Sequence, residues 1–293
     1  MTHTAISPDE AAAATSRHYD LPPEMFAAFL GHRMKYTCGL YTNPTATLDE
    51  AQEAKLAFIA WQLGITGGES VLDIGTGWGS LAFYLAQTFG CQVTGVTPSQ
   101  AQARYVREQA LATGLDGLVR VYQRSVYDLD LTPASFDAVA LVGVIEHLPD
   151  HCSALSIAAH LVRRHGPVYL SASCYRSQGM LNRYAARPAS QHVTGSVFGY
   201  GVMRPLSALV VAAEQAGLSM SAITDLTPSY HRTITDWLER VLAASARIDA
   251  IVPGYSGELA RYLETTNAGW GYTTKHYAFT AVRSRLGRTQ VPR

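Results

Sequence analysis

Three glycines at alternate positions, Gly75, Gly77 and Gly79, follow Asp73 and the apolar run Val71-Leu72-Asp73-Ile74. Glycine at every second residue lets the backbone pass close against a flat, uncharged surface, because no Cβ stands in the way. The Asp at the end of the run can orient the turn or accept from an ammonium. The spacing D-x-G-x-G-x-G differs from the G-x-G-x-x-G that seats a pyrophosphate on a helix N-terminus, and no Lys-Ser/Thr pair follows to build a phosphate loop. Three other groups could do chemistry. Glu146 ends a second apolar run, where a carboxylate can take a proton or fix the group that does; an E-H pair in that place can equally be structural. Cys38, beside Tyr36 and Thr37, is a polar lining residue or, with equal claim, a small buried one. Tyr230 can hydrogen-bond a base or, with His231, cap the helix that follows. His147, His192 and His276 read as satisfied or exposed histidines, and no cluster has metal-ligand spacing.

Positioning these groups calls for alternating strands and helices. Residues 71–74 form a strand, the glycines a turn, and Leu81, Leu85 and Phe89 the apolar stripe of a helix. A second strand at 92–96 makes a β-α-β unit whose strands are parallel, joined by a right-handed crossover. Further strands are expected at 118–123, 136–142, 167–172 and 219–226, with a last alternating strand at 276–282. The strand at 136–142 is apolar throughout, as a central strand covered on both faces must be. Helices are expected at 153–164 and 205–217, and before the first strand a helix capped by Thr47 or Asp49. Residues 174–203 show neither period and read as an insertion over the carboxyl ends of the strands; two helices at 234–248 and 257–267 read as a lid over the same pocket. Residues 1–17 read as a flexible arm, 18–283 as one domain and 284–293 as a flexible tail.

Composition narrows the partners. The chain has 293 residues, 47% of them hydrophobic, with 23 basic against 23 acidic side chains. That length suffices for one large α/β domain. Neutrality argues against a nucleic-acid footprint, which needs accumulated Lys and Arg. No segment reaches the ~18 apolar residues of a membrane span, and the first twenty residues lack the apolar core of a signal peptide. The scattered cysteines, Cys38, Cys91, Cys152 and Cys174, point to reduced thiols and a cytoplasmic protein. The composition is compatible with a homo-oligomer.

The glycine turn, with its strand and helix, resembles the S-adenosylmethionine (SAM) site of Rossmann-like methyltransferases; the alternative is a glycine turn with no ligand. A wider resemblance is to the cyclopropane-fatty-acid and mycolic-acid cyclopropane synthases and their methyltransferase relatives. It extends over about 18–283 and lies in HYDLPPEMFAAFLG, MKYTCGLY, LDEAQEAKL, VLDIGTGWG, VTGVTPSQAQ, VGVIEH and YHRTITDWLERV. It implies an α/β, class I SAM-methyltransferase fold: a seven-stranded, mostly parallel sheet with helical lid insertions. Position by position it implies SAM contacts at Tyr36, Thr37, Asp73, Gly75, Gly77, Gly79, Thr97, Gln102, Val126 and Tyr127. Tyr36 and Thr37 offer hydroxyls to the methionine carboxylate, and Thr97 and Gln102 flank the end of strand two, where the ribose falls. The implied catalytic residues are Glu146, Tyr230 and Cys38, which match three members of a polar cluster thought to hold bicarbonate. Two other positions depart, Ser171 for a histidine and Asn267 for a cysteine, which argues against bicarbonate and ring closure. The expected activity is therefore methyl transfer from SAM to a small hydrophobic acceptor at an alkene carbon. The alternatives are cyclopropanation of an unsaturated acyl chain, N-methylation of a small amine, and SAM binding without catalysis.

Overall fold

The computed structural model describes residues 6–195 and 197–284. Helix α1 (Pro8–Tyr19) opens the chain, followed by α2 (Pro23–Leu30) and α3 (Leu48–Gln62). Thr47 and Glu50 close a reciprocal capping box at the start of α3, satisfying two of its free N–H groups. The β-α-β unit is β1 (Ser70–Ile74), α4 (Ser80–Phe89) and β2 (Gln92–Thr97). Then come α5 (Gln100–Ala112), β3 (Val119–Gln123), β4 (Ala138–Val142), α6 (His151–Leu161) and β5 (Pro167–Tyr175). The insertion holds α7 (Gln178–Tyr184) and α8 (Pro188–Gly195), after which α9 (Leu206–Gln215) and β6 (Leu218–Asp225) return to the sheet. Three helices, α10 (Thr227–Ala243), α11 (Ser245–Ile251) and α12 (Tyr255–Gly269), precede the final strand β7 (Thr274–Arg283).

The seven strands are ordered β3-β2-β1-β4-β5-β7-β6, with β7 antiparallel to both neighbours and every other pair parallel. The expected seven-stranded, mostly parallel sheet with helical insertions is what forms. Chain order reverses between β1 and β4, so the loops after these strands diverge and leave a crevice at their carboxyl ends. One face of the sheet buries Leu56, Ile59, Leu81 and Leu85 from α3 and α4, and the other buries Leu155, Ala158, Leu209 and Ala212 from α6 and α9. A third apolar cluster joins α2 to α10, α11 and α12 through Phe26, Phe29, Trp237, Ile248 and Leu259. It forms a helical cap beside the crevice.

Several expectations need correction. Residues 8–17 are not a loose arm: Ser7 and Glu10 form a capping box, Pro8 starts the helix, and Ala11 and Ala14 are buried. Residues 1–5 and 285–293, expected to be mobile, lie outside the described residues. The patternless insertion contains two helices, which buries no residue of either and so leaves no apolar period to read. Strand β5 runs three residues beyond its expected end because β7 pairs with it up to Tyr175. Tyr230 and His231 do not cap a following helix, since α10 begins at Thr227 and contains them.

Candidate functional site

At the crevice the three glycines serve three different ends. Gly75 has φ of 72°, and a Cβ there would lie 2.5 Å from Val144, so the turn is pressed against the loop after β4. Gly79 also has positive φ, and a Cβ would meet Phe83 at 2.6 Å, which makes it a packing glycine for α4. Gly77 has φ of 59°, yet a Cβ would find nothing nearer than 4.0 Å. The space in front of Gly77 is a pocket. Its wall includes Gly75, Thr76, Gly77, Thr97, Gln102, Val126 and Tyr127, with Tyr36 and Thr37 at its inner end. Thr97 at the end of β2 donates to Gln102 Oε1 (2.7 Å), and Ser99 caps α5.

Asp73 lies beneath this turn rather than on the pocket wall. It is 1% exposed, and neither carboxylate oxygen has a hydrogen-bond partner among the described residues. Burial raises its pKa, opposed by the ammonium groups of Lys35 and Lys55. Both lysines are themselves buried, which depresses their pKa values, and Lys55 donates to the Thr37 hydroxyl. Asp73 thus balances charge below the Tyr36-Thr37 tip.

The second cavity, of about 420 Å³, is roofed by α7, α8, α10 and α12. It shares Tyr19, Tyr36, Thr37, Gly143 and His147 with the first pocket, so the two meet at the carboxyl end of β4. Its walls are aromatic: Tyr36 and Trp237 pack edge to face at 5.2 Å, as do Tyr230 and Trp270 at 4.8 Å. Glu146 stands on the wall, and its Oε1 accepts from the Ser173 backbone N–H at 2.5 Å while Oε2 has no partner. Desolvation pushes this carboxyl up to about 7, against the pull of the Ser173 hydrogen bond. A carboxyl poised there can both hold and release a proton near neutral pH.

The predicted residues are therefore not all in one place. Tyr36, Thr37, Gly75, Gly77, Thr97, Gln102, Val126 and Tyr127 line the first pocket, and Glu146 and Tyr230 line the second. Cys38 lines neither. It is fully buried in the core, its Sγ donates to the Gly39 carbonyl, and burial pushes its thiol up to about 12. Ser171 is fully buried within β5, and Asn267 hydrogen-bonds Thr235 away from the cavity wall. Sequence reasoning missed α1, whose Ala12, Thr15 and Ser16 wall the first pocket; the Ser7-x-x-Glu10 capping box was the available signal. It also missed Ser173 and His276, which face each other across β5 and β7. Among the described residues, no group of His, Cys, Asp or Glu is placed to hold a metal.

The arrangement fits an adenosyl cofactor on two counts: the open cradle at Gly77, and the Tyr36 hydroxyl, buried without a partner where both pockets meet. Known proteins agree on the ancestry. The chain is 31% identical over 297 residues to the tuberculostearic acid methyltransferase UfaA1 of Mycobacterium tuberculosis, covering 94% of this chain and 66% of that protein. It is 30% identical over 250 residues to a probable fatty acid methyltransferase of Pseudomonas putida, covering 83% of this chain and 61% of the relative. The chain thus spans less than two thirds of the length of either. The structure of the cyclopropane synthase MmaA2 from Mycobacterium tuberculosis superposes with a TM-score of 0.86 at 22% identity, covering 92% of this chain and 97% of that one, a likeness of fold. A family model described as mycolic acid cyclopropane synthetase matches residues 6–276, and with that span the chain belongs to this family.

Proposed function

We propose that this chain is an enzyme that transfers a methyl group from SAM to a small hydrophobic acceptor, at an alkene carbon. One observation carries the reading: a pocket built on the glycine turn joins an aromatic cavity at Tyr36, Thr37, Gly143 and His147. Bound in the first pocket, SAM would supply an electrophilic methyl on a sulfonium. Tyr36 and Thr37 would hold its methionine end and Thr97 and Gln102 its ribose, with Val126 and Tyr127 completing the wall. The chain's further task is alignment and exclusion of water, to which the aromatic walls contribute. Attack by an alkene on that methyl, with the C–S bond pair leaving on the sulfur of S-adenosylhomocysteine, would leave a carbocation that the faces of Tyr230, Trp237 and Trp270 on the cavity wall can stabilise. Glu146 Oε2 then takes the proton from the adjacent carbon, whose C–H electron pair closes the new double bond. The relatives named above, a probable fatty acid methyltransferase and a tuberculostearic acid methyltransferase by description, support a hydrophobic acceptor. Free cysteines at all four positions suit a cytoplasmic setting.

A second reading is ring closure to a cyclopropane, favoured by Glu146 and Tyr230 both standing on the cavity wall. Incubation with SAM and a panel of unsaturated acceptors, followed by S-adenosylhomocysteine detection and product mass spectrometry and NMR, separates the readings. Methyl transfer gives a new methyl signal, whereas ring closure adds CH2 without one. Absence of SAM binding by calorimetry would overturn both.

A further inference from the structure

Beneath the Tyr36-Thr37 tip lies a buried polar cluster that apolar packing does not explain. Helix α3 carries Gln52 and Lys55 at a spacing of three, which places them on one face, and both are buried under the tip. Gln52 Nε2 donates to the Thr37 carbonyl at 2.9 Å, and Lys55 Nζ donates to the Thr37 hydroxyl. The Thr37 methyl is held as well, because it packs so closely on Gly143 that a Cβ there would lie 2.5 Å from Thr37 Cγ2. Thr37 is thus fixed at its backbone and at both branches of its side chain, on the wall that the two pockets share.

An ammonium has donors and no acceptor, so in this bond the Thr37 oxygen accepts and its own hydrogen remains to be given. Among the described residues nothing accepts it. The charges are uneven too. Lys35 and Lys55 are both buried beside one buried carboxylate, Asp73, and neither lysine forms an ion pair among the described residues. Burial and Lys35 both lower the Lys55 pKa, while Asp73 opposes them. A buried cation short of a counter-ion is costly, and an anionic group brought to the tip offsets that cost. We propose that Lys55 positions and polarises the Thr37 hydroxyl to donate to the carboxylate of the cofactor's methionine end, and that two lysines over one aspartate make this pocket selective for that negative charge. Lys55 touches no reacting atom; it is a positioning residue that acts through Thr37. This rests on the reading of the first pocket as the SAM site.

Decarboxylated SAM keeps the adenosine, the sulfonium and the amine and lacks only the carboxylate, so the pair of ligands isolates that one group. Their dissociation constants are measured by calorimetry on the full chain with no acceptor present. The wild type is expected to bind SAM about tenfold or more tightly than decarboxylated SAM. Lys55→Met, which keeps the length of the side chain and removes the ammonium, should abolish most of that preference. It should do so by weakening SAM alone, with decarboxylated SAM, a cation, bound as tightly as before or more tightly. Thr37→Val, which keeps the shape and removes the hydroxyl, should show the same selective loss, and the double variant should lose little beyond either single one, because the two groups act in series. Unchanged SAM affinity in Lys55→Met would overturn the proposal, and so would a parallel weakening of both ligands, which is what a residue that only supports the fold would give. Should Lys55→Met lose its melting transition, Thr37→Val decides by the same criterion. Equal binding of the two ligands by the wild type would overturn the proposal and leave the SAM site standing, whereas failure of both to bind would overturn the SAM site itself and the proposal with it.

Discussion

At the scale of single residues, the site depends on where a side chain is missing and where a charge is buried. Gly77 faces open space with a positive φ. Val there would meet a backbone penalty of about 1–2 kcal/mol and place a branched group where the cofactor approaches. We expect Gly77→Val to weaken SAM at least tenfold, about 1.4 kcal/mol; unchanged affinity in a folded variant would remove the cofactor from this turn. Glu146 makes a pH-dependent prediction with a definite sign. Its folded pKa of about 7 lies above the ordinary 4.5, so the charged form is disfavoured by folding, and stability falls as pH rises between those values. Glu146→Gln should therefore be about as stable as the wild type below pH 4.5 and more stable by ~1–3 kcal/mol at pH 8, read from urea titrations at both. The same variant should lose roughly 10²-fold in turnover with SAM affinity intact, and the wild-type rate should climb with pH through about 7. If Glu146→Gln lost SAM affinity instead, the carboxylate would be scaffold. The glycine turn and the glutamate were legible in the sequence because each follows an apolar strand within a few residues. Cys38 was not, because a thiol on the cavity wall and a thiol behind it have the same neighbours in sequence.

At the scale of elements, the strands before residue 172 could be read from their apolar runs, and α3 from its cap. The register of β5 with β7 could not. Ser173 and His276 are separated by 103 residues, and nothing local shows that the last strand inserts antiparallel between β5 and β6. The first helix was hidden for another reason, since its run of small residues has a weak apolar face. It is nonetheless tied to the cofactor pocket. Asp20, at the end of α1, accepts from Ser99 Oγ at 2.6 Å and from Ala101 N at 3.2 Å, so it caps the start of α5 from outside. A carboxylate there also suits the positive end of the helix. Asp20→Ala should cost ~1 kcal/mol in stability and weaken SAM several-fold, because Ser99 and Gln102 line the pocket. Thermal melts with and without SAM separate the two effects. A lowered melting temperature with the full SAM-induced shift retained would show that α1 supports the fold without shaping the pocket.

At the scale of the whole molecule, the reversal of strand order between β1 and β4 opens one crevice, and the cap of α10, α11 and α12 with the insertion divides it into two joined pockets. What enters the larger one decides the chemistry. A bound bicarbonate needs several converging donors to offset the loss of its hydration. Of the five positions that would form such a cluster, Glu146 and Tyr230 stand on the cavity wall, while Cys38 is packed in the core, Ser171 is buried within β5, and Asn267 turns to Thr235. Of the two that remain on the wall, Glu146 brings a carboxylate, which repels an anion. We therefore expect the rate to be nearly unchanged when dissolved CO2 is removed and bicarbonate restored at fixed pH. Saturable, several-fold activation by bicarbonate would mean that the anion seats with these substitutions in place. It would also raise ring closure above methyl transfer, since the proton would then leave through a bound base and not through Glu146.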